Sequence, residues 1–159
     1  MDQSAKEMYF AYQCSEYNMK MDDVLDRWVG YHIPMEQQKQ WKNEYIDGLF
    51  QTFERSRDQG VLSQISGFSR DTANTYILAR LIEIWKTADK SEIEVEAWLT
   101  FLLMNAINPF TIARKDVVAI EAAEIVEDSC KRILSGNASE RTCKIAGKCL
   151  KTVEKWKRK

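Results

Sequence analysis

Proline and glycine are scarce in this chain of 159 residues, which contains two prolines and six glycines. A β-sandwich of similar length needs a turn about every 8–12 residues, and such turns draw heavily on these two residue types. The scarcity therefore excludes a loop-rich all-β fold, and it excludes collagen-like and low-complexity chains as well. A compact helical domain is the class that remains.

Cysteine and histidine are too few and too scattered for a zinc finger. His32 is the only histidine, and the four cysteines form no C-x-x-C pair. They are Cys14, Cys130, Cys143 and Cys149. Structural zinc sites combine closely spaced cysteines with further cysteine or histidine ligands. We therefore expect four reduced, mostly buried thiols, with no metal and no cofactor.

Long apolar segments are also missing. The longest nearly apolar run covers residues 97–107 and includes Thr100 and Asn105, whereas a membrane-spanning helix needs about 20 apolar residues. The first residues do not combine a basic stretch with an apolar one, as a secretory signal does. The sequence thus predicts a cytoplasmic protein with no membrane span.

Apolar residues recur at steps of three and four along most of the chain, which indicates amphipathic helices. Start and stop signals place helical segments at about 4–18, 23–29, 34–59, 61–66, 69–88, 91–107, 116–134 and from 139 onward. We predict an all-α fold, a single domain over residues 1–159 that forms one compact bundle of about six to eight helices. The two most apolar helices, near 70–88 and 92–107, are expected at its centre.

The net charge of −1 conceals a strong asymmetry along the chain. Residues 141–159 hold eight bases and one acid, whereas residues 1–140 hold 15 bases and 23 acids. Four lysines at spacings of 4, 3 and 4 share one side of the last predicted helix: Lys144, Lys148, Lys151 and Lys155. Such a helix binds acidic proteins, nucleic acid backbones or anionic membranes. It can also face solvent, or lie across the acidic remainder of the same molecule.

Acidic residues cluster on the preceding helix. They are Glu121, Glu124, Glu127 and Asp128. All-helical nucleotide pyrophosphatases hold magnesium between two acidic helix faces, because the ion needs several oxygen ligands. A metal-dependent all-α nucleotide hydrolase that uses Glu121, Glu124 and Asp128 is therefore the second alternative function. The acids at 92–96 alternate around their helix and supply no second face, and a solvated acidic face explains the cluster equally.

Residues 63–77 resemble the helix-turn-helix of LacI-type repressor heads. The shared features are a small residue in the first helix, Gly67 in the turn, an apolar residue after it, and a Ser-x-x-Thr-apolar opening of the second helix. The resemblance implies that Gly67 adopts a positive φ. It also implies a DNA-binding transcriptional regulator, the first alternative function. The side chains that would face the major groove are Ser69, Arg70, Asn74 and Thr75.

Catalytic motifs are absent, because the chain has no glycine-rich phosphate loop, no nucleophile elbow and no nucleophile readable beside His32. Tryptophan and tyrosine are plentiful, and interface hot spots favour both. We therefore predict that the chain is not an enzyme but a helical interaction protein: an inhibitor, an antitoxin- or immunity-type factor, or an adaptor. Candidate anchors, where exposed, are Trp41, Trp156, Tyr9 and Tyr12. Homodimer formation stays open.

Overall fold

A computed structural model describes residues 3–158, and these residues form ten α-helices and no strand. The helices are α1 Gln3–Ala11, α2 Glu16–Met21, α3 Leu25–Val29, α4 Met35–Ser56, α5 Gln59–Thr72, α6 Thr75–Thr87, α7 Ile93–Ala106, α8 Pro109–Ala113, α9 Val117–Ser135 and α10 Glu140–Lys157. The all-α prediction is confirmed. The number of helices exceeds the predicted six to eight.

The additional helices arise at two places. The first predicted segment is interrupted at Gln13 and Cys14, whose φ angles of 55° and 56° lie in the left-handed region and cannot continue a right-handed helix. Ser15 then caps the start of α2. At the second place, Pro109 begins a new helix as well as ending α7, because Asn108 caps α8 and proline suits the first helical turn.

The chain divides into two compact units, Met1–Asp58 and Gln59–Lys159. In the first unit, an aromatic cluster joins α1, α3 and α4. The ring of Tyr9 stacks on that of Trp28 with centroids 4.8 Å apart, and it tilts against Trp41 at 6.3 Å. All three side chains are buried. The single domain predicted over residues 1–159 stays a prediction.

In the second unit, α7 is the central helix and packs against α5, α6, α9 and α10. Its buried side chains point in several directions around the helix axis, as a core helix requires. They are Ala97, Leu99, Thr100, Leu102, Leu103 and Ala106. Helix α6 packs against α7 through its own apolar face. The two most apolar helices thus lie together in the core, as predicted.

Buried polar side chains join α7 to its neighbours. Thr100 and Ser129 share a hydrogen bond of 2.6 Å, and the indole of Trp85 donates to the Thr100 hydroxyl at 3.3 Å. The Glu96 carboxylate accepts from Ser129 and from Arg132. Every buried side-chain nitrogen and oxygen in the described range has a partner. A fully satisfied network of this kind fixes the register of the helices, because a shift would leave buried polar groups unpaired.

The helix-turn-helix predicted from the resemblance at residues 63–77 does not form. Helix α5 continues through Gly67 to Thr72, and none of the described glycines has a positive φ. The turn lies instead at Ala73, whose φ is 51°. The physical reason is that Ser66 and Ser69 donate hydrogen bonds to carbonyls of α7 at 2.7 and 3.0 Å, which hold α5 along that helix.

The side chains predicted to read DNA are consequently engaged elsewhere. Ser69 is buried, and the Asn74 side chain caps α6 by accepting from two backbone N–H groups. Arg70 donates to Asp71 and to Asn105. Thr75 is half-buried as the first residue of α6. Ser69 is therefore not accessible to a DNA groove in this fold, and the DNA-binding role of Arg70, Asn74 and Thr75 stays a prediction.

Replacing Ser69 tests the hydrogen bond that holds α5 to α7. The Ser69→Ala variant is expected to lose about 1–2 kcal/mol of unfolding free energy, because the Ala106 carbonyl at the end of α7 loses a buried donor. Urea unfolding followed by circular dichroism measures the change. Ser63→Ala, at an exposed position of the same helix, is the control and should stay within about 0.5 kcal/mol. Equal stabilities of the two variants would contradict the assigned role.

Candidate interaction surface on the last helix

Helix α10 presents one buried side and one basic side. Thr142, Ala146 and Val153 are buried against the rest of the second unit. Four exposed lysines on the opposite side form what we call the basic face: Lys144, Lys148, Lys151 and Lys155. At 100° per residue, their spacing places them within an arc of about 60° and over roughly 17 Å of helix. The periodicity of the sequence located this face correctly.

None of the four ammonium groups of the basic face forms an ion pair with any described residue. Among the described bases of α10, Lys157 alone does so, by donating to Glu127 of α9 at 2.7 Å. Lysines three and four residues apart on a helix repel one another, and each pair costs a few tenths of a kcal/mol. The face is therefore a concentration of positive charge that contacts inside the described chain do not neutralise.

The beginning of α10 is anchored to α7. The Ser139 side chain caps α10 by accepting from the Thr142 N–H at 3.2 Å. Glu94 accepts from the Ser139 backbone N–H at 2.8 Å and from the Thr142 hydroxyl at 2.7 Å. These bonds to Ser139 and Thr142 hold the pKa of Glu94 below its usual range, because they favour the charged carboxylate.

The end of α10 is anchored to α9. Glu127 accepts from Lys157 at 2.7 Å and from Lys131 at 3.0 Å. The hydrogen bond from Lys157, followed by that from Lys131, lowers the pKa of Glu127. Anchors at both ends, together with the buried side of the helix, orient the basic face toward solvent.

Beside the end of α10 lies a small groove of about 240 Å³, which we call the Trp156 groove. It is lined by Ile112, Ala113, Lys115, Ile120, Trp156 and Lys157. The first three belong to α8 and the turn after it, Ile120 belongs to α9, and the last two belong to α10. Trp156 is half-buried, so part of its indole stays accessible. The prediction that Trp156 is an interaction anchor depended on such accessibility.

The other aromatic anchors predicted from the sequence are placed differently. Trp41 and Tyr9 are only 1% and 3% exposed, because they build the core of the first unit. They are therefore not surface anchors, and burial raises the pKa of Tyr9 to about 12. Tyr12 is half-buried in the same unit. Helical periodicity alone cannot separate a core tryptophan from an exposed one.

The acidic side chains of α9 do not converge on a metal site. Glu121 pairs with Lys86 at 2.7 Å, and Glu124 and Asp128 are exposed. Within residues 3–158, no group of three or more His, Cys, Asp and Glu side chains is arranged to hold a metal ion. The second carboxylate face that a magnesium-dependent hydrolase requires is thus not found in this range.

All four cysteines are free thiols, as expected, and two of them are buried. Burial raises the pKa of Cys14 to about 12, which keeps this thiol protonated and unreactive at neutral pH. The hydrogen bond that the Cys130 thiol donates to Cys149, followed by burial, raises the pKa of Cys130 as well. His32 is exposed in a left-handed turn, and its side chain forms no hydrogen bond or ion pair within the described residues.

Comparison of the chain with protein-family models, with curated proteins and with solved structures gives no match in any of the three. No helix among residues 3–158 combines the length and the apolar character needed to cross a membrane.

The Trp156 groove was missed by sequence reasoning. The signal that could have revealed part of it is Asn108-Pro109, an N-cap followed by a first-turn proline, which predicts the start of α8.

The lowered pKa of Glu94 predicts a dependence of stability on pH. Its ionised carboxylate stabilises the fold above its ordinary pKa of 4.5, and this contribution is lost as the pH falls toward the lower pKa of the folded state. The Glu94→Gln variant should therefore be less stable than the parent at pH 7. Its unfolding free energy should also decline less between pH 6 and pH 3.

Urea unfolding across this pH range checks the expectation. Glu92→Gln is the control, because the Glu92 side chain is exposed and makes no capping hydrogen bond. It should follow the parent. Parallel pH profiles of the unfolding free energy for Glu94→Gln and the parent would show that Glu94 does not anchor α10.

Proposed function

We propose that this chain is a non-enzymatic regulatory protein that binds an acidic protein partner through the basic face of α10. The observation that carries the proposal is that four aligned lysines are exposed and form no ion pair with the described residues. Residues 1–140 hold eight more acids than bases, yet none of their described carboxylates forms an ion pair with these ammonium groups. An external acidic surface offsets the mutual repulsion of the lysines.

The rigidity of α10 supports a role in binding. Glu94 holds its beginning and Glu127 holds its end, so the backbone of the face is ordered before a partner arrives. Binding then costs the entropy of the lysine side chains but not that of the backbone. Opposite charges also steer the encounter and raise the association rate, an effect that weakens with added salt.

A protein partner is favoured over nucleic acid by the surroundings of the face. Long polyanions would be repelled by residues 1–140, whose net charge is −8. A compact acidic patch on a protein can contact the face alone. An inhibitor, an antitoxin- or immunity-type factor, or an adaptor would all use such a surface.

Charge reversal on the basic face tests the proposal. A variant with Lys144→Glu, Lys148→Glu, Lys151→Glu and Lys155→Glu is expected to bind its partner at least about tenfold more weakly, because attraction becomes repulsion. The matched control carries Arg at the same four positions and keeps the charge. Pull-down from nuclease-treated extracts of the native host, repeated at low and high salt, measures the difference. Circular dichroism checks that both variants keep their helix content.

Two results would overturn the proposal. One is equal capture of the same proteins by the reversed and the parental chain. The other is capture that depends on intact nucleic acid, which would identify a polynucleotide as the ligand.

A further inference from the structure

Helices α9 and α10 pack side by side, and each carries a cysteine at their interface. Cys130 of α9 is fully buried. Cys149 of α10 is half-buried. It lies three residues after Ala146 and four before Val153, which are both buried, so it stands at the edge of the buried side of α10. One of the two thiols is therefore shielded from solvent, whereas the other is partly accessible.

The two helices run in opposite directions, and their register brings these cysteines together. Near the start of α10, the Cys143 thiol donates to the Ile133 carbonyl near the end of α9 at 4.0 Å. At the end of α10, Lys157 reaches back to Glu127 of α9. Both cysteines of the interface, at positions 130 and 149, lie between these two contacts.

The two thiols contact each other directly. Cys130 donates a hydrogen bond to the sulfur of Cys149. This bond lowers the pKa of Cys149, because it favours the charged form, although burial opposes the change. The thiolate is the reactive form of cysteine. Cys149 is therefore the nucleophile of the pair, and Cys130 is a second thiol within reach of it.

We propose that Cys149 and Cys130 form a reversible oxidation site whose oxidant is a small hydroperoxide, such as hydrogen peroxide. The Cys149 sulfur attacks one oxygen of the peroxide and the O–O bond breaks. The Cys149 proton passes to the leaving oxygen, so the products are a sulfenic acid and water. The Cys130 sulfur then attacks the Cys149 sulfur, and the sulfenic hydroxyl leaves with the Cys130 proton as a second water. Two thiols are oxidised to one disulfide, and one peroxide is reduced to two waters.

The two remaining cysteines are placed differently. The Cys143 thiol donates to the backbone carbonyls of Ile133 and Ala138 at 4.0 and 3.8 Å. Cys14 belongs to the first unit, where burial raises the pKa of its thiol to about 12. The structure thus selects one pair of thiols among the four.

The oxidation site lies away from the basic face. At 100° per residue, Cys149 is about 130° around α10 from the middle of that face. The disulfide would tie α10 to α9 at the interface and leave the four lysines exposed. The proposal is therefore independent of the proposed function, and either can fail alone.

Oxidation of the native chain with hydrogen peroxide, followed by alkylation, digestion and mass spectrometry, tests the proposal. The parental chain should lose two of its four thiols as a Cys130–Cys149 disulfide, and dithiothreitol should restore both. Cys149→Ser should abolish the disulfide and keep Cys130 reduced, because Cys130 is shielded from solvent. Cys143→Ser is the matched control, at another half-buried cysteine of the same helix. It should form the disulfide like the parent.

A second variant separates the two steps. In Cys130→Ala, the sulfenic acid at Cys149 has no thiol beside it, so it should persist and be trapped by dimedone. The parent should give little of this adduct. Circular dichroism checks that each variant keeps its helix content. If Cys130→Ala fails to fold, Cys149→Ser still decides the question, because its position is only half-buried.

Oxidation in urea shows whether the fold directs the pairing. In the unfolded chain, Cys143 and Cys149 are closest in sequence and should pair most readily, whereas the native chain should yield Cys130–Cys149. Any of three results would overturn the proposal. One is a native chain that keeps all four thiols at a peroxide dose that forms disulfides in urea. Another is a native disulfide that includes Cys143 or joins two chains. The third is the same mixture of disulfides with and without urea.

Discussion

The packing of α10 against α7 and α9 is the interaction on which the functional interpretation depends. Its buried side chains and the two carboxylate anchors, Glu94 and Glu127, determine which side of the helix meets solvent. Because the helix is held at both ends, the four lysines of the basic face stay on its exposed side, whereas Lys157 pairs with Glu127 of α9. The exposed charge is thus a consequence of how the apolar side is buried.

Buried polar contacts around α7 explain why the second unit has this arrangement and not another of similar hydrophobicity. Ser66 and Ser69 bind carbonyls of α7, and Thr100 bonds to Ser129. Apolar surfaces alone tolerate sliding of one helix along another, whereas these hydrogen bonds are satisfied in one register. The same contacts keep α5 helical through Gly67. Tertiary hydrogen bonds therefore determine the conformation of this segment, although its local sequence resembles a repressor turn.

Much of the fold was predictable because helix formation depends on neighbours three and four residues apart. The caps at Asp116 and Ser139 were found from the sequence, and both accept hydrogen bonds from the first turn of their helices. Breaks at Gln13 and Ala73 were not found, since a positive φ at a non-glycine residue leaves no compositional signal. The Trp156 groove was missed for a related reason: it joins residues far apart in the chain.

The sequence by itself determined that the chain is helical, that its charge is divided near residue 140, and that four lysines share one side of the last helix. These are properties of composition and of short-range periodicity. Only the tertiary structure decided that the lysines have no ion-pair partners within the described residues, that Trp41 is buried while Trp156 is partly accessible, and that α8 completes a groove. Burial and charge pairing depend on distances between distant segments, and local sequence patterns carry no information about those distances.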